Sequence, residues 1–460
     1  MTDSDYNPEI VIKNQGGKML TLISFLVAVL ALNYLLYGLL LSNIMTRQLS
    51  SAAGIATFIV LTAAVFVAGH YILSNVIGHK FRDAKGLPLY FFSFHKATRL
   101  VFYVSAAIHA IIILQMVLAS QYYVGLSIGT MAASYLLGSV ILAYLSYRFL
   151  NWYRTSRERT MLLFGIAFSV LAASLAIIAL VNSAAILLID FTQTEGAMTS
   201  GTTKTPYGKV RDSWSSALFL VTLTPSRIAF AFYWFGTALL LRNYSKTIGR
   251  MKFWIIISLP LVIFFIATVL IFGNIANSQF TRVVLILPYA ISSGILFAVI
   301  FITTATSLSR MKHEHTARYL TLAGYGTLLF IMSTAAPVHV VDWLHTPYPA
   351  FASSGWSIAC IALYLYSFGI FFSASAISKD VQLRKSIKKI VADESRLFGS
   401  IGAAQMESEL TARISKIVKE QETILEEQEG IRHDIDETEI KSYLNEAIEE
   451  VRKAKKESGI

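Results

Sequence analysis

Ten long runs of apolar positions occupy most of the chain up to residue 377: residues 19–44, 52–77, 100–119, 122–145, 161–189, 217–241, 253–272, 283–308, 319–336 and 350–377. A helix needs about 20 apolar residues to cross the roughly 30 Å hydrocarbon core of a bilayer, and these runs meet or approach that length. Only one formal charge, Arg227, falls inside any of them. Hydrocarbon cannot hydrogen-bond a backbone, so each run must close its own ladder as an α-helix; the runs are too long and too apolar for barrel strands. The first run is preceded by Lys13 and Lys18, as in a secretory signal. It is much longer than a signal core and lacks a small-x-small cleavage site, so a retained span is expected. The pattern predicts an all-α, polytopic membrane helix bundle of about ten transmembrane helices.

After residue 377 the pattern changes. Residues 1–378 hold 24 Lys and Arg against 10 Asp and Glu, and residues 379–460 hold 15 against 18. A sparsely charged body of net +14 therefore meets a densely charged tail of net −3, which divides the chain into a transmembrane helical domain, 1–378, and a charged helical tail, 379–460. The tail opens on a basic collar, KDVQLRKSIKK, suited to anionic lipid. A helix-period pattern follows, with Gly399 and Gly402 expected to break it. Within residues 410–431 a heptad seam runs through Leu410, Ile414, Ile417, Gln421, Ile424, Gln428 and Ile431, a coiled-coil pattern in which the two glutamines trade stability for register. A short seam is marginal alone in water. It is expected to fold back as a hairpin, to pair in parallel with a second copy, or to wait for a cytosolic protein partner.

Composition agrees. With 460 residues, 55% hydrophobic, 15% charged and a mean hydropathy of +0.58, the chain has far fewer charges than the roughly 25% of soluble domains, and a soluble globular reading is excluded. One cysteine, Cys360, allows no intramolecular disulfide and reads as a small apolar residue. The net charge of +11 takes its meaning from where the cations fall. Eighteen Lys and Arg lie on the side holding the N-terminus and five on the other, which predicts a cell-membrane protein with both termini cytoplasmic and no nucleic-acid partner. The segment 79–99 mixes cations with Phe91, Phe92 and Phe94 and reads as an interfacial stretch lying in the headgroups. The segment 191–213, rich in Thr and Gly, reads as the longest exterior loop.

Few residues carry candidate chemistry. His95 and His109 lie on one run, 14 apart. That spacing puts them about 21 Å apart along a helix and about 40° apart around it, the separation two stacked haems require. Over these fifteen residues the stretch is similar to the first haem-ligating helix of the ferric reductase and NADPH oxidase family. A second helix with matching histidines is missing, because His70 and His79 are nine apart and out of phase; a single haem between His70 and His109 remains. The alternative is a pair of polar packing residues, and no cofactor is expected. Arg227 follows Pro225. If the helix starts at Thr224, the guanidinium snorkels to an interface; if it runs from residue 217 and kinks at Pro225, Arg227 is an intramembrane anion or gating contact. His339, Asp342 and His345, at steps of three, are a weak three-ligand metal candidate. No P-loop, GxSxG, HExxH or CxxC is present, so an enzyme is the weaker class.

Three stretches, LLLRNYSKTIGRMKFWIIISLPLV, PYPAFASSG and SASAISKDVQLRKSIKK running into LFGSIGAAQMESEL, resemble an uncharacterised family of multi-spanning membrane proteins of ammonia-oxidising archaea. The resemblance covers roughly the C-terminal half. It implies the spans, the tail and an archaeal cell membrane, and brings no activity or catalytic residue. The sequence thus favours a non-enzymatic receptor, sensor or scaffold that couples the bundle to a helical protein-binding tail. A transporter or channel for a small solute or ion is the alternative, and haem-dependent electron transfer is a third class.

Overall fold

The computed structural model describes residues 21–36, 52–77, 89–119, 121–188, 196–197, 208–242, 245, 249–272, 279–310, 313–334, 350–379, 397–410 and 412. They form α1 (Thr21–Leu36), α2 (Ala52–Tyr71, continued by a π turn Ile72–Ile77), α3 (Leu89–Ala119), α4 (Val124–Ser156), α5 (Arg159–Leu188) and α6 (Gly208–Leu241). These are followed by α7 (Arg250–Phe272), α8 (Gln279–Arg310), α9 (Glu314–Ser333), α10 (Ala350–Lys379) and α11 (397–410). Extended structure among the described residues is one antiparallel pair of two-residue strands, β1 (Gln121–Tyr122) and β2 (Gly196–Ala197).

The fold is all-helical and apolar, as the pattern predicts. Among the described residues seven helices, α2 to α5, α7, α8 and α10, are long and apolar enough to cross a membrane. Residues 21–36, α6 and α9, which fall in three more of the expected runs, are helical as well. The outward faces are apolar too: on α7, Ile255, Leu259, Val262, Phe265 and Val269 are all exposed. Such a stripe suits lipid, where an exposed apolar side chain carries no hydration cost.

The chain packs mostly between neighbours, α3 on α4, α4 on α5, α5 on α6, and α7 on α8, α8 on α9, α9 on α10. The last span closes the bundle by lying in its middle, in contact with α2, α3, α4 and α9, and almost all of Ser353–Ser378 is buried. The sequence of α10 explains this position. Its many Ser, Ala and Gly residues let backbones approach closely, and the serines turn their hydroxyls onto their own helix, Ser357 donating to the Ser353 carbonyl (3.0 Å) and Ser373 to that of Ile370 (2.8 Å). Trp356, Tyr364 and Phe368 fill the space between.

Three boundaries differ from the sequence reading. First, from Leu89 the aromatic stretch is helix, continuous with the span that follows it, while residues 79–88 of that segment lie outside the described residues. Helical phase splits its aromatics: Phe91 is fully buried, 4.6 Å from Phe371 by ring centroids, whereas Phe92 faces out beneath the Lys96 ammonium. Second, the stretch read as loop 191–213 contributes β2 and, from Gly208, the start of α6. Third, α11 runs through both Gly399 and Gly402. Gly402 is a point of contact, not a break: a Cβ there would collide with the side chain of Ile377 on α10.

Candidate functional site

Two polar constellations stand out against the apolar bundle. One joins α3, α10, α4 and α1. His109 is buried, and its Nδ1 lies 2.8 Å from the Ser105 carbonyl while Nε2 lies 2.8 Å from Ser353 Oγ. A carbonyl only accepts, so in the neutral ring Nδ1 carries the proton and Nε2 accepts from the Ser353 hydroxyl. The next residue along, Ser354, accepts from Asn33 Nδ2 of α1 (3.0 Å). Ser134 of α4 donates to the Trp356 carbonyl (2.8 Å) and receives the Cys360 amide (3.2 Å), linking a third helix to α10. These contacts fix the height and rotation of α10 among its neighbours.

That network decides how the histidine candidates are arranged. His109 spends both nitrogens on protein partners, so ligation of a haem iron through Nε2 requires loss of the Ser353 hydrogen bond. The ring facing His109 from α2 is Phe66, at 5.0 Å, not His70. His70 is exposed, with Nδ1 2.9 Å from the Tyr103 hydroxyl. His95 is buried with its ring 5.8 Å from that of Tyr364. The pairing of His70 with His109 is therefore not brought together. We predict that His109→Leu lowers stability by about 1–3 kcal/mol by removing the hydrogen bond from the Ser353 hydroxyl to the ring. The double variant with Ser353→Ala is expected to lose less than the two singles summed, measured by denaturation in one detergent; additive losses contradict the hydrogen bond.

The second constellation lies where α4, α8 and α10 end. There α11 folds onto the bundle with Leu397, Phe398, Ile401 and Ala404 buried, Phe398 meeting Phe301 of α8 at 5.9 Å between rings. Gln405 is buried as well, and its Oε1 accepts from Arg148 Nη2 (3.1 Å) and from Trp152 Nε1 (3.4 Å) of α4. Its Nε2 donates to Glu409 one turn on (2.9 Å). The Arg148 guanidinium lies within about 6 Å of the rings of Tyr144, Trp152 and Phe371, at 6.0, 5.9 and 5.3 Å. Arg148 thus meets three rings and a neutral amide drawn from α4, α10 and α11.

Arg148, Trp152 and Gln405 were not singled out from sequence. Their signal is present: in LFGSIGAAQ the buried positions 397, 398, 401, 404 and 405 follow helical spacing, and Gln405 is the polar member of that face. Of the other candidates, Arg227 lies in an unbroken α6 that passes through Pro225, so the helix does not start at Thr224. It is partly buried, 5.9 Å from the Phe264 ring on α7, and interacts electrostatically with Tyr289 of α8. His339, Asp342 and His345 lie outside the described residues, as does the seam of residues 410–431 beyond Leu410 and residue 412. Among the described residues no group of three His, Cys, Asp or Glu side chains stands close enough to hold a metal ion.

No protein-family model, curated protein or solved structure matches the chain. The helical apolar bundle defines the class of a membrane-embedded protein.

Proposed function

We propose that the chain is a non-enzymatic receptor, sensor or scaffold of the cell membrane, in which a bundle of about ten spans with both termini in the cytoplasm is coupled to a protein-binding helical tail. The observation that carries this reading is the seating of α11 on the ends of α4, α8 and α10, with Gln405 bonded to Arg148 and Trp152. A linker that only tethered a tail has no reason to bury Leu397, Phe398 and Ile401 against the spans. A rearrangement of α10 moves Ile377, hence Gly402 and α11, and so reaches the tail beyond Leu410. The tail then pairs with a second copy or holds a cytosolic protein through residues 410–431.

The test is crosslinking in native membranes with single cysteines at Ile414 and Ile417. Links between copies, or capture of one defined partner, are expected; monomers without a captured protein overturn the signalling role. The transporter or channel reading draws on Arg227 beside Phe264 and Tyr289, with Pro225, Pro260 and Pro288 inside α6, α7 and α8. Solute flux in proteoliposomes that survives removal of residues 397–460 and is lost in Arg227→Ala favours it over the sensor.

A further inference from the structure

The interface of α3 with α10 carries two facing polar stripes. On α3, His95, Thr98, Ser105 and His109 fall within about 80° of arc, and on α10 so do Ser353, Ser357, Cys360, Tyr364 and Ser367. All nine are buried. The helices run antiparallel, since His109 meets Ser353 at one end, His95 meets Tyr364 further along, and Phe91 meets Phe368 (6.3 Å) beyond that. At the first end the polar groups satisfy one another. Around His95 they do not: the hydroxyls of Thr98, Tyr364 and Ser367, on side chains 0%, 0% and 1% exposed, have no hydrogen-bond partner among the described residues.

Three such groups at one interface are costly unless something bonds them, because each buried hydroxyl without a partner forfeits its hydration. The register places Thr98 one turn to one side of the His95–Tyr364 contact and Ser367 one turn to the other. They therefore span about 9 Å along the helices. Aromatic rings bound this stretch at both ends: Phe91 with Phe368, Phe371 and Phe372 on the side of α11, and Phe102 tilted against Phe66 (5.3 Å) on the other. Neither α3 nor α10 contains an acidic residue, and Arg99 acts electrostatically on His95, so the stretch does not suit a cation. Hydroxyls that both donate and accept suit a small neutral molecule with the same ability.

We infer that the α3–α10 interface holds an occluded hydrated site, in which internal water bonds Thr98, Tyr364 and Ser367 beside His95. A site of this kind needs two to four polar partners for each water, which the three hydroxyls and the neighbouring imidazole supply. It lies beside the central helix that contacts α11's seat, and it stands whether or not the tail signals.

Radiolytic hydroxyl labelling read by mass spectrometry tests it on the full chain in detergent or nanodiscs. Radicals born from internal water are expected to oxidise Tyr364 despite its complete burial. Tyr366, two residues on, is the internal control: it is also buried, but its hydroxyl is 3.2 Å from that of Tyr233, so it stays at background. Thr98→Val with Ser367→Ala removes two of the partners and is expected to abolish Tyr364 labelling; if the pair does not fold, each single variant reduces it. The single variants also have a predicted sign in thermal stability. Removing a water-bonded hydroxyl lowers the midpoint, whereas removing an unsatisfied one raises it. Tyr364 labelling at the level of Tyr366, or labelling unchanged by the variants, overturns the inference.

Discussion

Gly326→Ala and Gly369→Ala are each expected to destabilise the bundle by about 1–3 kcal/mol or more, although both exchanges favour a helix by intrinsic propensity. A Cβ at Gly326 on α9 would stand 2.5 Å from the Tyr366 amide nitrogen and 2.7 Å from the Ala362 carbonyl oxygen of α10. A Cβ at Gly369 on α10 would stand 2.5 Å from the Tyr319 carbonyl oxygen and 2.6 Å from the Ala323 nitrogen of α9. These neighbours are backbone, so no side chain can swing aside; the helices have to separate. Separation pulls α9 away from the central helix along much of its length, which is why the effect exceeds that of a surface change. Gly129→Ala on α4 provides the contrast, because a Cβ there meets nothing within 4 Å. Thermal midpoints in one detergent should fall for the first two variants and hold or rise for the third. Equal midpoints for all three would contradict the close approach of α9 and α10.

Phe398→Ala is expected to free α11 while leaving the bundle folded. Truncating a buried Phe costs about 3–5 kcal/mol in a core. Fully burying an apolar side chain contributes about 1.5–3 kcal/mol, and α11 has three large ones, Leu397, Phe398 and Ile401, to set against the entropy of ordering fourteen residues. Losing one therefore tips a local equilibrium before it reaches the global one. Amide exchange across residues 397–410 should accelerate by at least about 100-fold, the equivalent of about 3 kcal/mol, while exchange in α4 and α10 stays protected. Exchange that accelerates everywhere together would mean that α11 is part of the folding core and not a separable element.

The helical character of the apolar runs was legible because hydrocarbon leaves the backbone no alternative. The position of α10 was less legible. Its Ser and Gly content reads equally as a weakly apolar span and as a tightly packed one, and only the neighbours at Tyr366 and Tyr319 decide between them. The histidines illustrate the same limit. Spacing along α3 gives the phase of His95 and His109 correctly, yet their partners, Tyr364 and Ser353, come from a helix more than 240 residues away that no local pattern names. Glycine misled in α11: it marks a break when nothing else is known, whereas Gly402 is required by the approach of Ile377. Arg148 was counted among topogenic cations; two of its rings, Tyr144 and Trp152, lie on its own helix, whereas Phe371 and Gln405 reach it only once α10 and α11 are in place.

The most direct test of the coupling is a distance measurement between nitroxides attached at Arg154→Cys on α4 and Leu410→Cys at the end of α11, both exposed, with the buried Cys360 left unlabelled. In nanodiscs a docked α11 gives one narrow distance distribution, and Gln405→Ala with Phe398→Ala broadens it. A broad distribution in the unaltered protein, unchanged by the double variant, would contradict the coupling of the bundle to its tail.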